Sequence, residues 1–349
     1  MTLTNYGAEN SSGGANAVAN GARAVAVGND TSASGEESTA IGNGARATGT
    51  NSLAISADYT DNATASGQGS VAIGHGGASG QYAITMSPDP SYNAAARSIV
   101  LGKANIASGG SKAFSAQIDS HSTTYGGQGA NSIALGMSAR AAAGNSVAIG
   151  SRSQSVNSSI ALCTSYGNYG INAGGGNSIC IGDGSSATRT SSVAIGYGAK
   201  SNIDGKFVYA SKSFGDGNAE GSSQGGWFIF LADTTDATPE AMTTTKSSAG
   251  SSNQIVAASD TCITFSGTIV AMQNGAQSYG SWEIRGLLVN DGGTTTLPFS
   301  NVSEIGSSGW KVSLRGDNTN NALTVQITGE ASTNIRWVAN IQTAEVTYA

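Results

Sequence analysis

Five acidic residues, Asp233, Asp236, Glu240, Glu283 and Glu304, are the side chains from which a glycosidase could be built. That chemistry needs two carboxyl groups held on either side of a glycosidic bond. No spacing among the five pairs two of them, so no catalytic residue is assigned. His75 and His121 are far apart, and a metal site would need copies of one of them gathered on a symmetry axis; each reads as a solvated loop side chain. Cys163, Cys180 and Cys262 are odd in number and widely spaced, which suits neither a disulfide framework nor a zinc site. They read as small buried apolar residues. There is no phosphate loop, no recognisable Ser-His-Asp spacing and no dinucleotide motif, so no cofactor and no metal is expected. Arg315-Gly316-Asp317 resembles an integrin-binding tripeptide, but it follows an apolar run as a turn and is assigned no role.

Binding is the chemistry that remains. Aromatic rings with one polar end suit recognition surfaces. Trp282 follows Tyr279-Gly280-Ser281 beside a turn, so Trp282 and Tyr279 are candidate exposed receptor contacts. Trp310 and Trp337 lie in phase with apolar neighbours and are expected in a core. Tyr125 and His121, on an insertion described below, complete the candidate set.

Composition limits the partners. The net charge is −6 and no Lys/Arg run occurs, so the positive footprint that nucleic-acid binding needs is missing. Glycine is abundant at 50 residues, proline is scarce at 4, and charged residues make up 11%. Without a Gly-X-Y register this excludes collagen, and it predicts a rigid fold with short neutral turns. The start has no basic region followed by an apolar run, and no segment is long enough to span a bilayer. Synthesis in a cytoplasm, without membrane insertion, is the expectation.

The elements that must carry these residues announce themselves as a repeat. Apolar-Ala-apolar-Gly recurs in Ala24-Val25-Ala26-Val27-Gly28, Thr39-Ala40-Ile41-Gly42, Ser70-Val71-Ala72-Ile73-Gly74, Ser146-Val147-Ala148-Ile149-Gly150 and Ser192-Val193-Ala194-Ile195-Gly196, among others. The phrases end at positions 28, 42, 56, 74, 102, 136, 150, 163, 182 and 196, most often about 14 residues apart. A five-residue alternating phrase with β-branched large positions is a strand. About 14 residues allow two strands and two tight turns, which is one turn of a β-solenoid, and about a dozen such rungs would stack about 4.8 Å apart. The alternation predicts Val, Ile and Leu inside the coil and Ser and Ala outside. Small outward residues imply close approach of another backbone, so the coil is expected to pack against copies of itself. The closing Gly supplies the positive φ of the corner. A monomeric solenoid is the competing reading.

Two intervals are long. Between Gly74 and Gly102, Tyr82-Ala83-Ile84 reads as an off-period rung followed by a loop with Pro88 and Pro90. Between Gly102 and Gly136 a degraded rung is expected near Ala113-Phe114. Insertions in solenoids become loops on one face. Tyr92, His121 and Tyr125 fall on these loops.

The phrases NSVAIG (145–150), SSVAIGYGA (191–199) and NSIALGMSARA (131–141) resemble the head repeats of YadA-like trimeric adhesins over about residues 13–203. The resemblance implies a left-handed parallel β-roll, three side by side around an axis. Three features depart from the bacterial adhesins: no leader, no heptad stalk and no membrane barrel.

After about residue 205 the period stops and all four tryptophans appear. Short apolar runs such as Trp227-Phe228-Ile229-Phe230-Leu231, separated by turn signals such as Asn290-Asp291-Gly292-Gly293, predict an antiparallel, jelly-roll-like β-sandwich. The expected layout is all-β: repeats over 1–203, a neck over 204–226, and a sandwich over 227–349. The sandwich resembles modules at the ends of phage tail fibres. Together the two likenesses imply a non-enzymatic, homotrimeric, receptor-binding fibre of the virion. Such a fibre would meet a host surface glycan or protein and other virion proteins. Alternatives are a head-decoration or connector protein, a cell-surface adhesin fragment, and a depolymerase.

Overall fold

The computed structural model describes residues 6–8, 16–56, 62–103, 105–106, 110–117, 125–162, 171–214, 220–275, 278–306 and 308–348. Those residues contain strands and turns and no helix. They form a β-solenoid of about 12 turns and, after it, antiparallel sheets. The chain divides into two compact units, residues 1–168 and 169–349.

In the first unit each phrase is a short parallel strand stacked in register on the next. Val25, Ala26 and Val27 pair with Thr39, Ala40 and Ile41, and these pair with Leu53, Ala54 and Ile55. A second short strand per turn stacks likewise, Ser32 and Ala33 on Arg46 and Ala47. Both long intervals contain a rung. Ile84–Asn93 pairs with Val71–Ala78 on one side and Ile99–Gly102 on the other, and Phe114–Gln117 lies between Ile99–Gly102 and Ile133–Leu135. The segment with Pro88 and Pro90 is therefore an irregular stretch of strand, with the register shifting between Ser87 and Ser91, and Tyr92 pairs with Gly77 and Asn105. His75 also lies in a strand, Val71–Ala78, not in a loop.

The facing of the strands is the reverse of the expectation. Ala26, Ala40, Ala54, Ala72, Ala134 and Ala148 are wholly buried, while their Val, Ile and Leu neighbours point outward. The second strand of each turn also points small residues inward, among them Ala33, Ala47, Ala65 and Ala141. Two strands and two tight turns in 14 residues enclose a narrow core lined mostly by Ala and Ser, with bulkier side chains such as Thr85, Val100 and Val208 at a few inward strand positions.

The phrase-opening serines are interior too, and most are satisfied by a turn, Ser52 being the exception. Ser38, Ser70, Ser132 and Ser178 donate from Oγ to the carbonyls of Gly35, Gly67, Gly129 and Gly175 at 2.7, 2.7, 2.6 and 2.8 Å. A buried hydroxyl without such a partner would cost about 1–3 kcal/mol. The closing glycine does what the sequence requires of it. Gly42 has φ +105°, and a Cβ there would lie 1.7 Å from the Ser56 carbonyl oxygen of the next rung.

In the second unit, three further rungs, Ile179–Ile181, Val193–Gly196 and Phe207–Ala210, stack in parallel. Cys180 takes the interior Ala position, whereas Cys262 is half-buried on an outward strand face; Cys163 lies outside the described residues. The last rung then pairs antiparallel with Gly225–Trp227, which opens the sandwich.

The sandwich strands are β1 (Ser223–Thr234), β2 (Glu240–Ala241), β3 (Ile255–Val256), β4 (Thr261–Gln273), β5 (Tyr279–Asp291), β6 (Thr294–Gly306), β7 (Lys311–Asp317), β8 (Ala322–Thr328) and β9 (Ile335–Thr347). The larger sheet has the order β1-β9-β4-β5-β6, all antiparallel. In the smaller sheet β8 pairs with β7 along one edge and with β2 and β3 along the other. Strict alternation puts one face of each strand into the core. Along β9 this buries Ile335, Trp337, Ala339 and Ile341.

Three tryptophans fill that core. Trp282 and Trp337 stack with centroids 5.3 Å apart, Trp310 lies 5.7 Å from Trp337, and Trp337 Nε1 donates to Thr234 Oγ1 at 3.0 Å. Where the rung meets the sandwich, Lys206 and Glu345 form a buried ion pair at 2.7 Å. Gln224 and Thr343 complete the carboxylate's hydrogen bonds at 2.7 and 2.8 Å.

Candidate functional site

Because the interior is lined mostly by small residues, the rungs turn most of their large aliphatics outward. Ile41, at 40% exposure, Ile99, Leu101, Ile149 and Ile160 are open, and Met86, at 45%, holds the same column as Ile73 and Leu101. Parallel in-register stacking lines them up as two files on one face, repeating every rung. A surface of this kind is costly in water and marks an interaction site. Its repeat of about 4.8 Å matches another surface with the same repeat.

The receptor candidates are dispersed. Trp282 is 2% exposed and stacked in the core, so it offers no ring to a ligand. Its place two residues before buried Ile284 was the signal in the sequence: the turn beside it is real, but the phase of the strand points the indole inward. Gly280 is what lets the ring lie flat, since a Cβ there would sit 2.4 Å from Trp282 Cη2. Tyr279, in contrast, is 73% exposed on the outer face. It stands next to the turn between β4 and β5, at the end of the sandwich away from the rung Phe207–Ala210, roughly 25 Å along the strands from it. Tyr125 is half-buried in the first unit and accepts a hydrogen bond on its carbonyl from Gln128 Nε2 at 2.8 Å. His121 lies outside the described residues. Trp310 and Trp337 are core, as their phase predicts.

The carboxylates do not converge. Glu304 pairs across the sheet with Trp282, and Glu283 with Ser303, so the two glutamates project from opposite faces of neighbouring strands. Asp233 is held by Lys246 and lies 3.8 Å from Arg336 Nε. Asp236 is kept below the usual carboxylate range by hydrogen bonds from the backbone and side chain of Thr238, as befits a turn residue. Among the described residues no three His, Cys, Asp or Glu side chains come together.

Arg315-Gly316-Asp317 is flat β-strand, paired with Thr324, Leu323 and Ala322. The Asp317 carboxylate accepts from Thr319 N, Asn320 N and Asn320 Nδ2 at 2.8, 3.2 and 2.7 Å. It closes its own turn, which leaves the tripeptide neither the bend nor the free carboxylate of a recognition loop.

Sequence comparison bears on the coil. The YadA head domain repeat (2 copies) matches residues 14–31, 33–55, 61–76, 128–153 and 173–199. No curated protein matches the chain. Among solved structures, a tailspike protein, gp49, from Acinetobacter baumannii bacteriophage Fri1, a capsular polysaccharide depolymerase, aligns at 10% identity. The alignment covers 96% of this chain and 65% of that one, with a TM-score of 0.20, too low for any inference. The matched segments fall on the rungs that include Val25–Val27, Thr39–Gly42, Ile133–Leu135, Val147–Ile149, Ile179–Ile181 and Val193–Gly196, and these stretches of the coil are similar to YadA head domain repeats.

Proposed function

We propose that this chain is a non-enzymatic, homotrimeric, receptor-binding fibre protein of a phage tail, made in the host cytoplasm. The observation that carries the reading is the double file of outward Val, Ile and Leu on a coil of adhesin head repeats. Copies of the same coil are the natural cover for it, because their side chains recur at the same spacing. Three subunits would then present three sandwiches, and weak contacts to a host-surface glycan or protein would gain from being made together. The sandwich loops away from the last rung, with Tyr279 beside them, are the assigned contact surface. Tyr125 and the insertion around it are a second one. The divergent carboxylates favour binding over hydrolysis.

The test is competition. Purified chain added to host cells should block phage adsorption, and Tyr279→Ala should weaken the block. A chain that neither binds cells nor competes would remove the receptor role and leave a structural one. Release of reducing sugar from host polysaccharide would mean that it is an enzyme.

A further inference from the structure

A one-sided sheet keeps its apolar residues inward and its polar ones outward, while a strand covered on both faces is apolar throughout. β1 is of the second kind. In Trp227-Phe228-Ile229-Phe230-Leu231, Phe228 and Phe230 enter the core, and Trp227, Ile229 and Leu231 face out. The outward apolar surface does not stop at β1. Leu231 pairs with Val338, Val338 with Val270, and Met272 follows on the same face of β4; Val270 and Met272 are 54% and 55% exposed. On the same face the band is bordered by polar side chains, Gln342 and Asn340 beside Trp227 and Ile229, Thr268 beside Val270, and Asp233 and Arg336 beside Leu231 and Met272. Nothing in the described chain covers the band.

Its occupant is indicated by what it adjoins. Phe207 pairs directly with Trp227, their rings 5.2 Å apart, and Phe207 stacks in register on Val193. Within the second unit, the outward file of its three rungs and the outward band of the sandwich are thus one continuous apolar surface.

We infer that the outer face of the large sheet, from Trp227 to Met272, packs against a second copy of this chain, extending the contact between coils into the sandwich. Tyr279 lies at its rim. The inference rests on the self-assembly read from the coil and adds that the sandwiches are held together, not splayed. Host contact is thereby confined to the opposite sheet and to the loops with Tyr279 beside them.

Two native methionines test the two claims separately. Met86 reports on the outward file of the coil and Met272 on the sandwich band. In the full-length native chain, peroxide should oxidise both about tenfold more slowly than in the chain unfolded in guanidinium, since oxidation follows exposure. Val270→Glu, a change on the exposed face, should restore rapid oxidation of Met272 while Met86 stays protected. Protection of Met86 with free oxidation of Met272 in the unaltered chain would overturn the inference and spare coil assembly. Free oxidation of both would remove coil assembly as well.

Discussion

At the scale of single residues, positions are set by what the neighbouring rung or strand leaves room for. Gly42 and Gly280 show this plainly, since a single carbon would overlap the Ser56 carbonyl of the next rung at the first and the Trp282 ring of its own strand at the second. Lys206 and Glu345 show the electrostatic counterpart. Removing one member of a buried pair leaves the other charged and dry, so Lys206→Met should cost about 3–5 kcal/mol, read as a lower urea midpoint. Replacing both with apolar residues of similar volume should recover most of that loss. Asp317 sets a pH dependence. Burial pushes its carboxyl up, but hydrogen bonds from the Asn320 side chain and from the Asn320 and Thr319 backbones outweigh this and hold it below its ordinary 3.8. A group lowered on folding stabilises above its unfolded value and loses that contribution as pH falls toward the folded one. The sandwich should therefore weaken below about pH 4, and Asp317→Asn should flatten that part of the unfolding profile against pH.

At the scale of elements, the repeat, its strands and its corner glycines were legible because spacing survives in sequence. Which face of a strand points inward was not. A period of two fixes that alternate residues share a side, and it leaves the choice of side to the partner. Large residues inside is the usual choice, but the 14-residue turn is too narrow for it, and Ala40 rather than Ile41 is buried. The same ambiguity misplaced Trp282, where proximity to a turn outweighed its phase with Ile284. The locking serines went unread as well, although a glycine three residues before Ser38, Ser70, Ser132 and Ser178 was their mark. The corrected facing predicts opposite phenotypes for adjacent substitutions. Ala40→Leu should overpack the coil and destabilise it by about 1–3 kcal/mol, seen as a lower unfolding midpoint. Ile41→Ser should leave the strand content seen by circular dichroism unchanged and loosen association, seen as a smaller mass on dilution.

At the scale of the whole molecule, the reversal strengthens the case for assembly. Outward alanines would have allowed another coil to come near; outward isoleucines, leucines and valines require that something cover them. A coil that packs small residues inside and aliphatics outside is half of an interface by composition alone. The most direct measurement is the mass of the native chain by sedimentation equilibrium across the micromolar range. The account predicts three times the 34.5 kDa of one subunit, unchanged on dilution. A stable, soluble species of 34.5 kDa, with its aliphatic files open to water, would contradict it.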